Sequence, residues 1–341
     1  MGDLFSLPLL FRPYEVPAGF GVITCYFNPS RYRSKLRNYQ LFRESLRTSG
    51  MPCFTIECLF PGQTSELSDS GSVHSVVARD TMWQKERLLN LAITQLPDEW
   101  TTVGWLDCDV LFENQNWAAE AVDQLDRHAV VQLFSEVVRL PQGETWGRQG
   151  DEHWDSFAFV AKHNPNQLLK GDFAKHGHTG FAWAMRREVL ARHGLYDGCI
   201  AGSGDHMMAH AFGGDWTGDC IDRILGGNNS HRLNFSKWAE SVYRSIRAKV
   251  SYVPGTLFHL WHGETINRRY VLRNSELAFF NFDPAQDLRV GKDGCWEWAS
   301  DKPELHRWAA EYFGKRREDG DDCDGVAAKG IFQQAESAAE A

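Results

Sequence analysis

The chain has 341 residues, 43% of them hydrophobic and 13% aromatic, which suits one large domain or two small ones and excludes global disorder. Its formal net charge of −9 argues against nonspecific nucleic-acid binding, because phosphates demand a positive surface. No apolar run approaches the roughly 20 residues of a membrane span, and the N-terminal stretch, broken by Pro8, makes a poor signal peptide, so a cytoplasmic protein is expected.

The elements follow in chain order. GFGVITCYF (19–27) is β-branched and aromatic and stops at Asn28-Pro29, the pattern of a buried strand ending in a turn. Residues 32–47 put Leu36, Tyr39, Phe42 and Leu46 on one helical face. PCFTIECLF (52–60) and VHSVVA (73–78) are strand-like, and 81–97 is a helix closed by Pro97. A strand at 101–107, a helix at 116–128 and a strand at 129–134 follow. Strands alternating with helices predict an α/β, Rossmann-type mixed but mostly parallel sheet flanked by helices. Ligands of such sheets bind beyond the carboxyl ends of the strands. Gly19 and Gly21 stand at the start of the first strand rather than after it, so the glycine-rich dinucleotide fingerprint is missing and a nicotinamide cofactor is disfavoured.

From about 135 the periodicity weakens. The stretch 141–156 is polar and glycine-rich and is expected to be a long loop acting as a lid or insertion. Within it Glu152, His153, Trp154 and Asp155 are candidates for shaping an acceptor site. Residues 181–194 become helical in their second half, and 235–250 form an amphipathic helix. Residues 1–17 are expected to be an arm, 18–315 a single domain and 316–341 a disordered tail. The eight cysteines contain no Cys-x-x-Cys, so reduced thiols are expected and a zinc site built on their spacing is not.

The chemistry centres on VGWLDCDVLF. Alternate residues of a strand share a face, so Asp107 and Asp109 point one way and Cys108 the other. Two carboxylates at a strand's carboxyl end make a hard oxygen site for Mg²⁺ or Mn²⁺, which often completes its shell with a diphosphate. The tripeptide alone decides little, since Asp-Cys-Asp recurs at 322–324. The apolar strand before the first copy distinguishes it from the second, which lies in a charged tail.

Together with WLDCDVLF, the segments MWQKERLLNLA, HTGFAWAMRREVL, GLYDGCIAGSGDHMMAHAF and HLWHG resemble, in order and spacing, GT-A-fold nucleotide-sugar glycosyltransferases with an Asp-x-Asp metal motif, of the galactosyltransferase and polypeptide N-acetylgalactosaminyltransferase type. The resemblance covers roughly residues 20–270. It implies a GT-A-like domain with a nucleotide-binding half at 18–134 and an acceptor and metal-completing half at 135–315. It also implies transfer of a sugar from a nucleoside diphosphate donor, with a UDP-sugar expected, to a hydroxyl of a glycan, protein or small molecule. Tyr26, Asn28, Pro29 and Glu57 would line the nucleoside pocket, and Arg79, Trp83, Lys85 and Arg87 would approach the base or diphosphate. Asp107 and Asp109 would hold the Mn²⁺ or Mg²⁺ and touch the donor, with His262 or His259 as a further ligand. His178, Gly180, Trp183 and Gly204 would wall the sugar and acceptor, and Asp205 would be the base if the enzyme inverts. Arg268, Arg269 and Arg273 would hold the diphosphate from a C-terminal loop.

Plainer readings stand beside these. Asp205 also suits a helix N-cap, Lys85 and Arg87 a solvated helix face, and each histidine a core hydrogen bond. Cys108 inside the motif is tolerated because its side chain points away, whereas the solitary Asp205, where galactosyltransferase relatives carry a longer acidic run, leaves the acceptor and the stereochemical outcome open. The rival functions are a phosphohydrolase with Asp107 as nucleophile, disfavoured because at least two strands precede it, and a non-catalytic nucleotide-sugar-binding protein. A nucleic-acid acceptor, tracked by Arg232, Lys237, Arg244, Arg247 and Lys249, carries low weight.

Overall fold

The computed structural model describes residues 16–67, 71–148, 151–170 and 175–320. The chain begins with β1 (Phe20–Phe27), α1 (Arg33–Thr48), β2 (Cys53–Leu59), β3 (Val73–Val77), α2 (Lys85–Ile93) and β4 (Thr102–Leu106). It continues through β5 (Val110–Phe112), α3 (Trp117–Leu125), β6 (Val130–Gln132), β7 (Glu136–Arg139), β8 (His153–Asp155) and α4 (Phe157–His163). Next come β9 (Ala182–Arg186), α5 (Arg187–His193), α6 (Gly204–Gly213), α7 (Asp219–Leu225) and α8 (Asn229–Ile246). The chain closes with β10 (Val250–Tyr252), β11 (Thr256–His259), α9 (Tyr270–Phe279), α10 (Pro284–Asp287), the hairpin β12 (Leu288–Val290) and β13 (Trp296–Trp298), and α11 (Pro303–Lys315).

The main sheet has the order β10-β6-β9-β4-β1-β2-β3. Every neighbouring pair is parallel except those made by β9, which runs antiparallel to both β4 and β6. All eight residues of β1 are buried, which explains its unbroken apolar run. One face packs Ile23 and Cys25 with Leu88, Leu89 and Ala92 of α2. The other packs Phe20 and Val22 with Phe42 and Leu46 of α1 and Trp117 of α3. The expected α/β architecture, a mixed and mostly parallel sheet flanked by helices, is therefore present.

A second sheet, β5-β11-β7-β8, decides where the site lies. The chain leaves β4 at Leu106, turns through Asp107-Cys108-Asp109, and re-enters sheet structure as β5 in the other sheet. Antiparallel pairing then sets His259 of β11 opposite Val110, and the Leu260 amide donates to the Asp109 carbonyl at 2.9 Å. Aspartate and histidine, 150 positions apart, become neighbours through this register. The tripeptide is thus a turn between sheets rather than the tip of one strand.

Several boundaries differ from the sequence reading, among them the helix expected at 235–250, which is α8 at Asn229–Ile246 and gives way to β10 at Val250. Helix α2 begins at Lys85, not 81, because the preceding segment is extended and the Trp83 amide donates to the Ile200 carbonyl. Part of the expected 141–156 loop is β8, paired antiparallel with β7. Residues 316–320, assigned to the tail, are packed. Arg316 and Glu318 form a buried ion pair, and the Asp319 carboxylate accepts from the Arg33 and Ser34 amides at the start of α1. A carboxylate at a helix N-terminus and a paired buried charge both anchor chain, which composition alone cannot reveal. The arm up to residue 15 and the second Asp-Cys-Asp, at 322–324, lie outside the described residues. Among the described residues no helix is long and apolar enough to cross a membrane.

Candidate active site

A cavity of about 330 Å³ opens beyond the carboxyl ends of β1 and β4. Its walls come from five places: Phe27, the turn 107–109, the loop 176–181, the start of α6, and the segment from His259 to Arg273. Trp83 and Lys85 close one side, and Arg316 reaches in from the C-terminal segment. The size falls within the usual range for small-molecule sites.

On one wall Asp109, His259 and His262 converge, each offering a ligand atom within 4.8 Å of the others. His262 Nε2 lies 3.2 Å from Asp109 Oδ2 and 3.1 Å from His259 Nε2. Two donors bound at right angles to one ion at about 2.1 Å stand about 3.0 Å apart, so the spacing fits a shared ion. Asp109 Oδ1 is buried without a hydrogen-bond partner. Burial, and then Asp107, push the Asp109 carboxyl up to about 7. Burial and Arg268 push His262 down to about 3, and burial with His262 puts His259 well below its ordinary value. Neutral imidazoles and a carboxylate starved of positive charge are the forms a divalent ion takes up. The Arg268 guanidinium donates to His262 Nε2 at 2.8 Å and so stands where positive charge is wanted. Behind the ring, His262 Nδ1 faces Glu318 Oε1 at 3.5 Å, the outer carboxylate that commonly orients a metal-binding imidazole. Burial alone would raise the Glu318 carboxyl, but Arg316 and Lys35 hold it well below its ordinary range.

The opposite wall is organised by Lys85. Its ammonium pairs with Asp107 and with Asp205, the latter at 2.8 and 3.1 Å. Burial would lower the Lys85 pKa, but Asp107, Asp205 and Glu86 hold it well above its ordinary value. Asp205 lies in the first turn of α6, and Ser203, whose side chain makes no capping bond, occupies the N-cap position. Burial raises its carboxyl against the pull of Lys85. Gly180 lets Asp205 approach: a Cβ there would stand 3.2 Å from Oδ2.

Glu86, beside Lys85, is buried, and Gly204 passes so close that a Cβ would lie 2.5 Å from its Oε1. Burial first, then Asp205, push the Glu86 carboxyl from its ordinary 4.5 up to about 8. A raised carboxyl pKa favours the folded state at low pH, and that contribution is lost as pH rises from 4.5 to about 8. Glu86→Gln removes the loss. Its urea midpoint relative to the parent should therefore rise between about pH 5 and about pH 9. A constant difference would contradict the buried, protonated carboxyl.

The cavity gathers Trp83, Lys85, Asp107, Asp109, His178, Gly180, Asp205, His259 and His262 from the sequence candidates, with Arg268 and Arg273. The metal-ligand grouping takes both histidines with Asp109, while Asp107 is held by Lys85 instead. Gly204 abuts Glu86 rather than the cavity. Tyr26, Asn28, Pro29 and Glu57 do not line it. The Tyr26 hydroxyl and the Asn28 amide donate to Glu66, Gln63 donates to the Pro29 carbonyl, and Glu57 accepts from Ser65, Ser75 and the Glu66 amide. These bonds fasten the 60–67 loop over the strand ends, so the four residues shape the rim from behind. Trp183 is buried, stacked on Trp105, and donates to the Thr179 carbonyl, so it is core rather than sugar wall. Arg87 donates to the Gly294 carbonyl and lies over Trp296, facing the β12–β13 hairpin. Arg79 is exposed away from the cavity, and Arg269 pairs with Glu276. His153 pairs with Glu136, and Trp154 meets the His178 ring edge-on. On α8, Arg232 pairs with Asp222 and Arg244 with Glu240.

Arg316 and Glu318 belong to the site and were not among the sequence candidates, whereas Phe27 and Glu86 fall inside the segments YFNP and WQKER expected at the nucleoside and diphosphate. Phe27 carried a signal, as the last residue of the first strand. Glu318 carried none, because its role depends on the fold of a charged terminal segment.

No protein-family model matches this chain, and no curated protein matches it. Among solved structures, the chain is similar to the catalytic domain of Drosophila β1,4-galactosyltransferase 7 in complex with xylobiose. The TM-score is 0.41 at 11% identity, over 85% of this chain and 98% of that one. Mannosyl-3-phosphoglycerate synthase from Rubrobacter xylanophilus gives a TM-score of 0.36 at 7% identity, over 76% and 72%. Glucosyl-3-phosphoglycerate synthase from Mycobacterium tuberculosis, in complex with Mg²⁺ and uridine diphosphate, gives 0.36 at 10% identity, over 77% of each chain. Likeness of this degree carries no weight for the chemistry, which rests on the side chains of the cavity.

Proposed function

We propose that the cavity binds a nucleoside diphosphate sugar together with Mn²⁺ or Mg²⁺ and transfers the sugar to an acceptor hydroxyl. The observation that carries this reading is the convergence of Asp109, His259 and His262 on one wall, facing the Lys85-held carboxylates of Asp107 and Asp205 on the other. A divalent ion held by the first group would neutralise charge on a departing diphosphate.

The chain's own residues account for the remaining steps. Arg268 and Arg273 line the same cavity and supply further positive charge for phosphate oxygens. Trp83 and Phe27 give an aromatic wall for a base. Trp83 packs near the Phe313 ring, with centres 6.3 Å apart, and the Arg316 guanidinium lies 5.1 Å from its centre. An acceptor hydroxyl attacks the anomeric carbon, the carbon–oxygen bond to the diphosphate breaks, and in an inverting reaction Asp205 takes the hydroxyl proton. Lys85 orients Asp205 and favours its ionised form against the effect of burial. Residues 18–134 supply the nucleotide half in this reading, and the rest, through residue 320, supplies the acceptor and metal half.

The test is release of nucleoside diphosphate from a panel of nucleotide sugars, UDP-sugars first, with Mn²⁺ and with a chelator. Release that needs the ion supports the reading. Absence of release from every donor and acceptor tried would overturn the transferase reading.

A further inference from the structure

A second set of donors lies behind the cavity wall. His206 and His210, one turn apart on α6, meet His176 from the loop before β9 and Cys220 from α7, and one ligand atom of each lies within 4.8 Å of all the others. The three imidazoles are packed with ring centres 4.6 to 5.2 Å apart. Both α-helices and the loop are thus joined at one point by nitrogen and sulfur groups alone.

The outer contacts point the rings inward. His210 Nδ1 bonds Asp215 Oδ2 at 3.1 Å, which leaves its buried Nε2 facing the cluster with no hydrogen-bond partner. His176 Nδ1 bonds the Gly177 carbonyl at 2.8 Å, so its Nε2 faces the same way. A carboxylate or carbonyl on the far nitrogen is how proteins orient metal-bound imidazoles.

We propose that His176, His206, His210 and Cys220 bind a zinc ion that fastens α6 and α7 to the 176–181 loop. Four protein ligands, three imidazoles and one thiolate, fill a tetrahedral shell and leave no open position, the mark of a structural site. Such a shell needs donor atoms about 3.3–3.6 Å apart, so small side-chain rotations close it. The set differs in chemistry from Asp109, His259 and His262. It has no carboxylate, and thiolate with imidazole selects a borderline ion over Mg²⁺ or Mn²⁺. Its position matters for the cavity, because His206 follows Asp205 and both His176 and His206 line the cavity wall. Binding requires the Cys220 thiol to lose its proton, so the ion is taken up with proton release and lost in acid.

The experiment uses the full chain, dialysed against zinc and then freed of loose metal, and counts zinc per chain. One zinc is expected in Asp109→Ala, which lacks the carboxylate of the other cluster, and none when Cys220→Ala or His210→Ala is added to it. Replacing zinc by cobalt should give a thiolate-to-cobalt charge-transfer band and the intense visible bands of a tetrahedral ion, both kept in Asp109→Ala. Either the absence of stoichiometric zinc in the folded parent or a parent cobalt spectrum without the thiolate band would overturn the site. The parent spectrum decides the matter even where a variant does not fold. These readouts are independent of sugar transfer, so failure of either proposal leaves the other standing.

Discussion

Asp109→Ala should lower metal-dependent release of nucleoside diphosphate by about 10²–10⁴-fold, the several kcal/mol that a Lewis-acid ion supplies to a leaving phosphate. The residue is the sole carboxylate in the cluster with His259 and His262, and its Oδ1 has no hydrogen bond to lose. The substitution removes a buried carboxyl that is already pushed up to about 7, so the fold should tolerate it. The pH dependence follows with a definite sign. The ion competes with the proton for this carboxylate, so apparent metal affinity should fall as pH drops below about 7. Steady-state release measured against Mn²⁺ concentration at several pH values checks both points. Turnover within a few-fold of the parent would remove Asp109 from the metal site. Asp107→Ala acts differently, because it frees Lys85 from one of its two partners rather than removing a ligand of that cluster.

Asp205→Asn should leave donor affinity near the parent value and cut transfer by about 10²–10⁴-fold, the usual contribution of a positioned general base. The amide keeps the shape beside Gly180 and can still touch Lys85, so positioning survives while proton uptake does not. The pH profile separates the chemical role from a structural one. Parent kcat should rise with pH as Asp205 ionises, from a value raised by burial, and the Asn variant should lose that limb. Donor hydrolysis by water should suffer less than transfer to an acceptor. Undiminished transfer, or an equal loss of donor affinity, would remove Asp205 as the base.

Much of the fold was legible in the chain because the central strands β1, β2 and β4 are mostly buried apolar runs. β1 announces itself with eight consecutive core positions, and α1 with a helical apolar face. β5 did not, since three residues carry too little pattern to distinguish a new strand from the end of the last. That omission matters, because the switch of sheets at β5 is what carries Asp109 to His259. The candidate site was legible where chemistry and strand ends coincide: Asp107, Asp109, Lys85, Asp205 and the His259–His262 pair all meet. It was misjudged where a polar or aromatic residue near a strand end turned out to hold a loop or fill the core, as with Glu57, Asn28 and Trp183. Glu318 and the His176–Cys220 cluster depend on long-range packing, and cysteine spacing says nothing of a site whose other three donors are imidazoles.

The central claim is that Asp109, His259 and His262 hold an ion which in turn holds a nucleoside diphosphate. Calorimetric titration of uridine diphosphate and its sugars into the full chain, with and without Mn²⁺, measures this directly. Binding should appear only with the ion and vanish in Asp109→Ala. Equal binding without Mn²⁺, or none by any nucleoside diphosphate, would contradict the account.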